Sequence, residues 1–328
     1  MGWDSSDEPE LAPVPVGAAV PAQEASPGTG IETAAVDLTY MTPQGSVPGP
    51  SFDVLPGFRL SVNVAEEVPD EWHVSTLVES NRPIIAERAM YWNTPATGRL
   101  SAHTSIGAAH PAMDWYLAEG STGSGEQGFF ETWVLVENPN DYAASVDIVY
   151  QTPDGQVPGP SFELLPHTRA SWDTSLFVPA QFSVSTVVRA NNPVVSERSM
   201  YWTSGGQPRI SATDSIGVTS ASENWNLAEG STGGDERGSF ETWVLVQNPS
   251  TTAADVNISY MTPAGPVDGP DFNLPAQSRI TIPVSATVPN EWSVSTVVES
   301  NHPVVAERSM YWNTGTYRQA ASDSIGFP

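Results

Sequence analysis

The stretch PVVAERSMYW at 303–312 holds an adjacent Glu-Arg pair and ends in Tyr-Trp. PVVSERSMYW at 193–202 and PIIAERAMYW at 83–92 repeat it, each 110 residues from the next. Val, Ile, aromatics and period-two alternation mark the stretch as a strand. Alternate residues of a strand face opposite sides. Val304, Ala306, Arg308, Met310 and Trp312 therefore share one face, and Val305, Glu307, Ser309 and Tyr311 the other. Glu307 and Arg308 point apart, as do Glu197 and Arg198, and Glu87 and Arg88. That geometry disfavours a catalytic dyad written three times. It favours one structural strand reused, each charge meeting a partner across a sheet, with Trp92, Trp202 and Trp312 closing the strand.

Outward from this strand the period persists. Tyr40, Tyr150 and Tyr260 sit in VDLTYMTPQG, VDIVYQTPDG and VNISYMTPAG, and Ser-Ile-Gly recurs at 105–107, 215–217 and 324–326. Copies two and three open with WYLAEGST (115–122) and WNLAEGST (225–232), then FETWVLVENP (130–139) and FETWVLVQNP (240–249). The expected organisation is an acidic Pro/Ala-rich linker over 1–30, an incomplete first repeat over 31–111, and full repeats over 112–221 and 222–328. Copy one lacks the LAEGST and ETWVLV segments. Burying four side chains such as Trp133, Val134, Leu135 and Val136 is worth roughly 1.5–3 kcal/mol each. Against a domain stability of roughly 5–15 kcal/mol, copy one is expected to be marginal alone. Another chain, copy two or repeats upstream would complete it.

Short β-rich runs separated by ENPND, TPDG, NNP and SNHP turns predict an all-β fold. About seven strands per copy point to tandem immunoglobulin-like β-sandwiches. A likeness between ETWVLVENP and FSVSTVVRANNP raises a second architecture, a six-bladed β-propeller of half-repeats. Two hairpins on opposite sheets of one sandwich explain the same likeness.

Composition narrows the function. The net charge is −26, and all 12 cations are Arg. Such a field repels nucleic acid and anionic membranes, so neither partner is expected. With no Cys, thiolate metal sites and Cys nucleophiles are excluded. No run of about 18 apolar residues predicts a membrane helix, and the N-terminus lacks the pattern of a signal peptide. The five His show no metal spacing, and no GxSxG or paired-carboxylate context supports catalysis. No enzyme, metal or cofactor is expected. Nine Arg recur in register: 59, 169 and 279; 88, 198 and 308; 99, 209 and 318. That suggests each is wired into the fold. Glu119 and Glu229 beside Gly-Ser-Thr form at most a partial cation or sugar site, short of the six to eight oxygens calcium wants. Trp115 and Trp225, at the starts of copies, are the candidate platform for stacking on a sugar.

The motifs W-x-LAEGST, FETWVLVxNP, YxTPxG, ERxMYW and DSIG, over roughly 31–328, resemble a tandem repeat of unknown function found in secreted and surface proteins of actinobacteria and related high-GC bacteria. The resemblance implies an extracellular or cell-surface location and a modular role, and it carries no catalytic residues. The expected function is a non-catalytic spacer, adhesin stalk or surface-layer component. The second reading is a polysaccharide or peptidoglycan binding module. The expected partners are wall polysaccharide or a neighbouring copy of the chain.

Overall fold

A computed structural model describes residues 33–94, 98–125, 128–204, 207–236, 238–314 and 317–328. Among them the protein is all-β and sandwich-like, as the alternation predicts. The second repeat builds two sheets around one 20-residue strand, Ser185–Ser204. Its first half pairs with Ala144–Thr152 on one side and Ala112–Leu117 on the other. Its second half pairs with Gly128–Asn138 and Gln207–Ile216. Gly155–Leu164 extends the first sheet and Thr168–Asp173 the second. The third repeat follows the same plan around Ser295–Thr314.

The two sheets thus draw on strands from both halves of the repeat. Successive propeller blades would each be cut from one continuous segment, so the propeller alternative fails. ETWVLV and STVVRA lie on different sheets, which accounts for their likeness without half-repeats.

Alternation sets the core. In Ser145–Tyr150, Val146, Ile148 and Tyr150 are buried between the sheets while Ser145 and Asp147 face solvent. Trp115, Leu117, Val134, Val136, Leu164 and Val194 complete that core. The third repeat repeats it with Trp225, Leu227, Val244, Val246, Leu274 and Val304.

The first repeat shows what the missing segments do. Residues 58–63 correspond to Thr168–Asp173, a strand held only by Gly128–Asn138. Without that partner they form no strand. The long strand is likewise split into Ser75–Ser80 and Glu87–Thr94, because the residues between have nothing to pair with. Ile84 is 38% exposed where Val194 and Val304 are fully buried, and Ile85, Phe58 and Ile106 are exposed too. The first repeat thus leaves exposed the apolar side chain at a position that repeats two and three bury.

Candidate functional site

The repeated charges converge between repeats. At the joint of repeats two and three, Arg198 is buried. Its Nη1 donates to Glu119 Oε2 at 2.6 Å, and its Nη2 donates to Glu307 Oε1 at 3.2 Å and Asp323 Oδ2 at 2.9 Å. Glu119 belongs to the same repeat; Glu307 and Asp323 belong to the next. Since Glu and Arg occupy opposite faces of one strand, stacking repeats brings the Arg of one against the Glu of the following one. Glu119 also accepts from Tyr311 Oη at 3.1 Å, and its own backbone N–H donates to Glu307 Oε2 at 2.9 Å.

A second arginine plugs the joint from the other side. Arg279 of repeat three donates from Nε to Ser185 Oγ at 3.1 Å and from Nη2 to the Ala118 carbonyl at 2.9 Å. Two amides cross the joint to main-chain carbonyls. Gln247 donates to Thr186 O and Gln151 to Asn248 O, both at 3.2 Å. Beside the charges lies an aromatic cluster of Phe130, Met200 and Trp202 from repeat two with Tyr311 from repeat three. Trp202 Nε1 donates to Arg318 O at 3.0 Å, and the Arg318 guanidinium sits 4.0 Å over the Tyr311 ring.

Two arginines face three buried carboxylates, so the electrostatics must settle on a proton. Desolvation, and next the Glu119 charge, push the Asp323 pKa well above the usual carboxylate range. Desolvation also pushes Glu119 upward, but Arg198 and hydrogen bonds outweigh it and hold its pKa below the ordinary value. Desolvation raises Glu307, with Arg198 opposing. Of the three carboxyls, Asp323 is therefore pushed toward its protonated form and Glu119 toward its ionised one. Burial lowers Arg279 to about 10 against the pull of Glu119 and Glu307, so it stays charged at neutral pH.

The joint of repeats one and two is the same device with parts removed. Arg88 Nη2 pairs with Glu197 Oε1 at 2.9 Å and with Asp214. The Arg88 side chain is 37% exposed, since repeat one supplies no counterpart of Glu119. Arg169, the counterpart of Arg279, is buried, and its Nε and Nη2 have no hydrogen-bond partner among the described residues. The carbonyl that Arg279 uses belongs to LAEGST, a segment the first repeat does not carry. Glu137, which stands where repeat three has Gln247, is pushed by burial from 4.5 to about 7, against a Ser75 hydrogen bond and the Arg169 charge. His103 Nδ1 lies 2.7 Å from Asp214 Oδ1. Burial, then Arg88, lowers its pKa to about 3 and keeps it neutral.

Glu87, Arg88, Glu197, Arg198, Glu307 and Arg308 therefore serve the faces between repeats rather than partners within one sheet. Trp202 is wholly buried in a joint and Trp312 is half-buried on the outer face of repeat three, 4.8 Å from Phe240. The Trp92 side chain lies outside the described residues. The sugar platform expected at Trp115 and Trp225 is not formed. Both indoles are enclosed, 2% and 1% exposed, and donate Nε1–H to Val194 O and Val304 O. They alternate with the buried Leu117 and Leu227, and that spacing was the signal for an inward face. Glu119 is consumed by the joint, whereas Glu229 is exposed at the outer face, 3.4 Å from Arg308. No group of three or more His, Asp or Glu able to hold a metal occurs among the described residues.

No family model and no curated protein matches the chain. Among solved structures, Thermotoga maritima 1070 is similar over 33% of this chain and 94% of its own, at 17% identity and TM-score 0.29. The Anabaena sensory rhodopsin transducer is similar over 27% of this chain and 95% of its own, at 20% identity and TM-score 0.24.

Proposed function

We propose that the protein is a non-catalytic extracellular repeat array, a cell-surface spacer or stalk whose repeats are locked in fixed relative orientation. One observation carries the reading: the charges written in every repeat are spent on the joints. Arg198 pairs with Glu119, Glu307 and Asp323, and all four side chains are buried beside the cluster of Phe130, Met200, Trp202 and Tyr311. A linker-connected chain of independent beads needs no such contacts. A surface location fits the resemblance of the motifs and the acidic, cysteine-free composition.

Small-angle X-ray scattering tests this. A single fixed arrangement of repeats two and three should fit the wild-type profile, and Arg198→Gln should broaden the distance distribution. A wild-type profile that requires freely jointed repeats would overturn the spacer.

A polysaccharide-binding role has a different foothold from the one expected. Trp72, Phe182 and Trp292 occupy the same place in successive repeats and are 90%, 50% and 49% exposed. A ladder of exposed rings at one repeat spacing suits stacking on a polymer of sugar rings. Co-sedimentation with insoluble cell wall, comparing wild type with Trp72→Ala and Trp292→Ala, separates this reading from a bare spacer. Retention lost in the variants supports binding, and no retention of wild type rejects it.

A further inference from the structure

The outer faces of repeats one and three are the two halves of the joint seen between repeats two and three. On repeat two, the half that receives Arg279 is made by Ala118, Glu119, Gln151, Ser183, Ser185 and Arg198. The matching residues on repeat three are Ala228, Glu229, Met261, Ser293, Ser295 and Arg308. Ala228, Glu229 and Met261 are exposed where Ala118, Glu119 and Gln151 are buried. Five of the six, together with Trp292, line an open cavity of about 440 Å³. Its place matches the seat of the Arg279 guanidinium on repeat two. At its margin Arg308 is 96% buried by side chain, yet its Nη1 has no hydrogen-bond partner among the described residues. The guanidinium that Glu307 and Asp323 pair with on Arg198 meets here, among the described residues, the exposed Glu229 and the Ser322 hydroxyl, both at a long 3.4 Å.

The opposite half stands on repeat one. Arg59, Glu87, Tyr91 and Thr104 hold the positions of Arg279, Glu307, Tyr311 and Asp323, and all four are exposed. An anion on one face thus matches a buried, under-paired cation on the other, in a contact whose geometry the chain already displays internally.

We propose that chains associate head to tail, with repeat one of one copy seated on repeat three of another through Glu87–Arg308 and Arg59 in the Ala228–Ser295 cavity. The proposal rests on the reading of the internal joints as locks. Such an interface is heterologous and does not pair a patch with itself, so it propagates into open filaments unless the rotation closes a ring. It is weaker than the internal joint, because Thr104 replaces the Asp and the first repeat lacks the strand bearing Gln247. Association is therefore reversible and concentration-dependent.

The test is sedimentation velocity of the full chain over a concentration series. Wild type should show a rising weight-average mass. Glu87→Arg, at an exposed site, sets like charges against each other and should weaken association at least about tenfold. Arg308→Glu should do the same, and an equimolar mixture of the two variants should associate again, since each then meets its opposite. Should Arg308→Glu lose its circular dichroism, Ala228→Tyr fills the cavity from an exposed position and should abolish association. A wild type that stays monomeric at its highest soluble concentration overturns the proposal. So does association undiminished in Glu87→Arg and Ala228→Tyr. A monomer that keeps one fixed scattering profile sinks only the association, whereas a freely jointed one sinks the lock on which it rests.

Discussion

The joint between repeats two and three and the joint between repeats one and two use the same residue positions, yet only the former is complete. Among the described residues, Arg198 is enclosed by three carboxylates, while Arg88 meets two and stays 37% exposed. Arg279 finds a hydroxyl and a carbonyl, while two nitrogens of Arg169 find no partner among the described residues. The difference traces to one missing segment, LAEGST. Burying a cation costs less the more of its donors are answered, and LAEGST supplies one such answer to each arginine, the Glu119 carboxylate to Arg198 and the Ala118 carbonyl to Arg279.

Unfolding measurements can break this comparison. The largest effect is expected for Arg198→Met, which strands buried carboxylates without their cation and should cost about 3–5 kcal/mol in chemical denaturation. Arg88→Met should cost about 1–2 kcal/mol. Equal losses would mean that the two joints are energetically alike. Next, Tyr311→Phe deletes the hydroxyl that donates to Glu119 and should cost about 1–3 kcal/mol; a neutral result would remove that bond from the lock.

Smaller effects sharpen the contrast. Glu137 titrates near 7 in the folded chain instead of 4.5, so the folded state retains a proton that the unfolded state has lost. The first joint is then at full strength below about pH 4.5, weakens as pH rises toward 7, and stays weakened above it. The amplitude should be on the order of 1–2 kcal/mol at this half-buried site. Hydrogen exchange of residues 75–80 across pH 5–8 should show it, and Glu137→Gln should flatten it. The smallest effect belongs to Asp323→Asn. Its surroundings favour the protonated carboxyl, which an amide replaces in kind, so the change should stay below about 1 kcal/mol. A larger loss would reassign the proton.

The strands and their recurrence every 110 residues were legible in the sequence, because a period of two and a period of 110 residues are both patterns of the chain itself. The inward face of Trp115 was legible too, in its alternation with Leu117. The joint was not read. Periodicity says that Glu307 and Arg308 leave their strand on opposite sides, but not which molecule or repeat receives each side. That choice is made by how one sandwich stacks on the next.

Because Glu and Arg are neighbours on one strand yet serve different joints, every complete repeat carries one half of the lock at its front and the other half at its back. A gene segment encoding one whole unit is then a self-compatible cassette. Duplicating it or deleting it by in-frame recombination leaves each internal cation facing a matching anion, whatever the number of copies. A cut inside the unit, like the one that removes LAEGST from the first repeat, leaves a scar at the neighbouring joint.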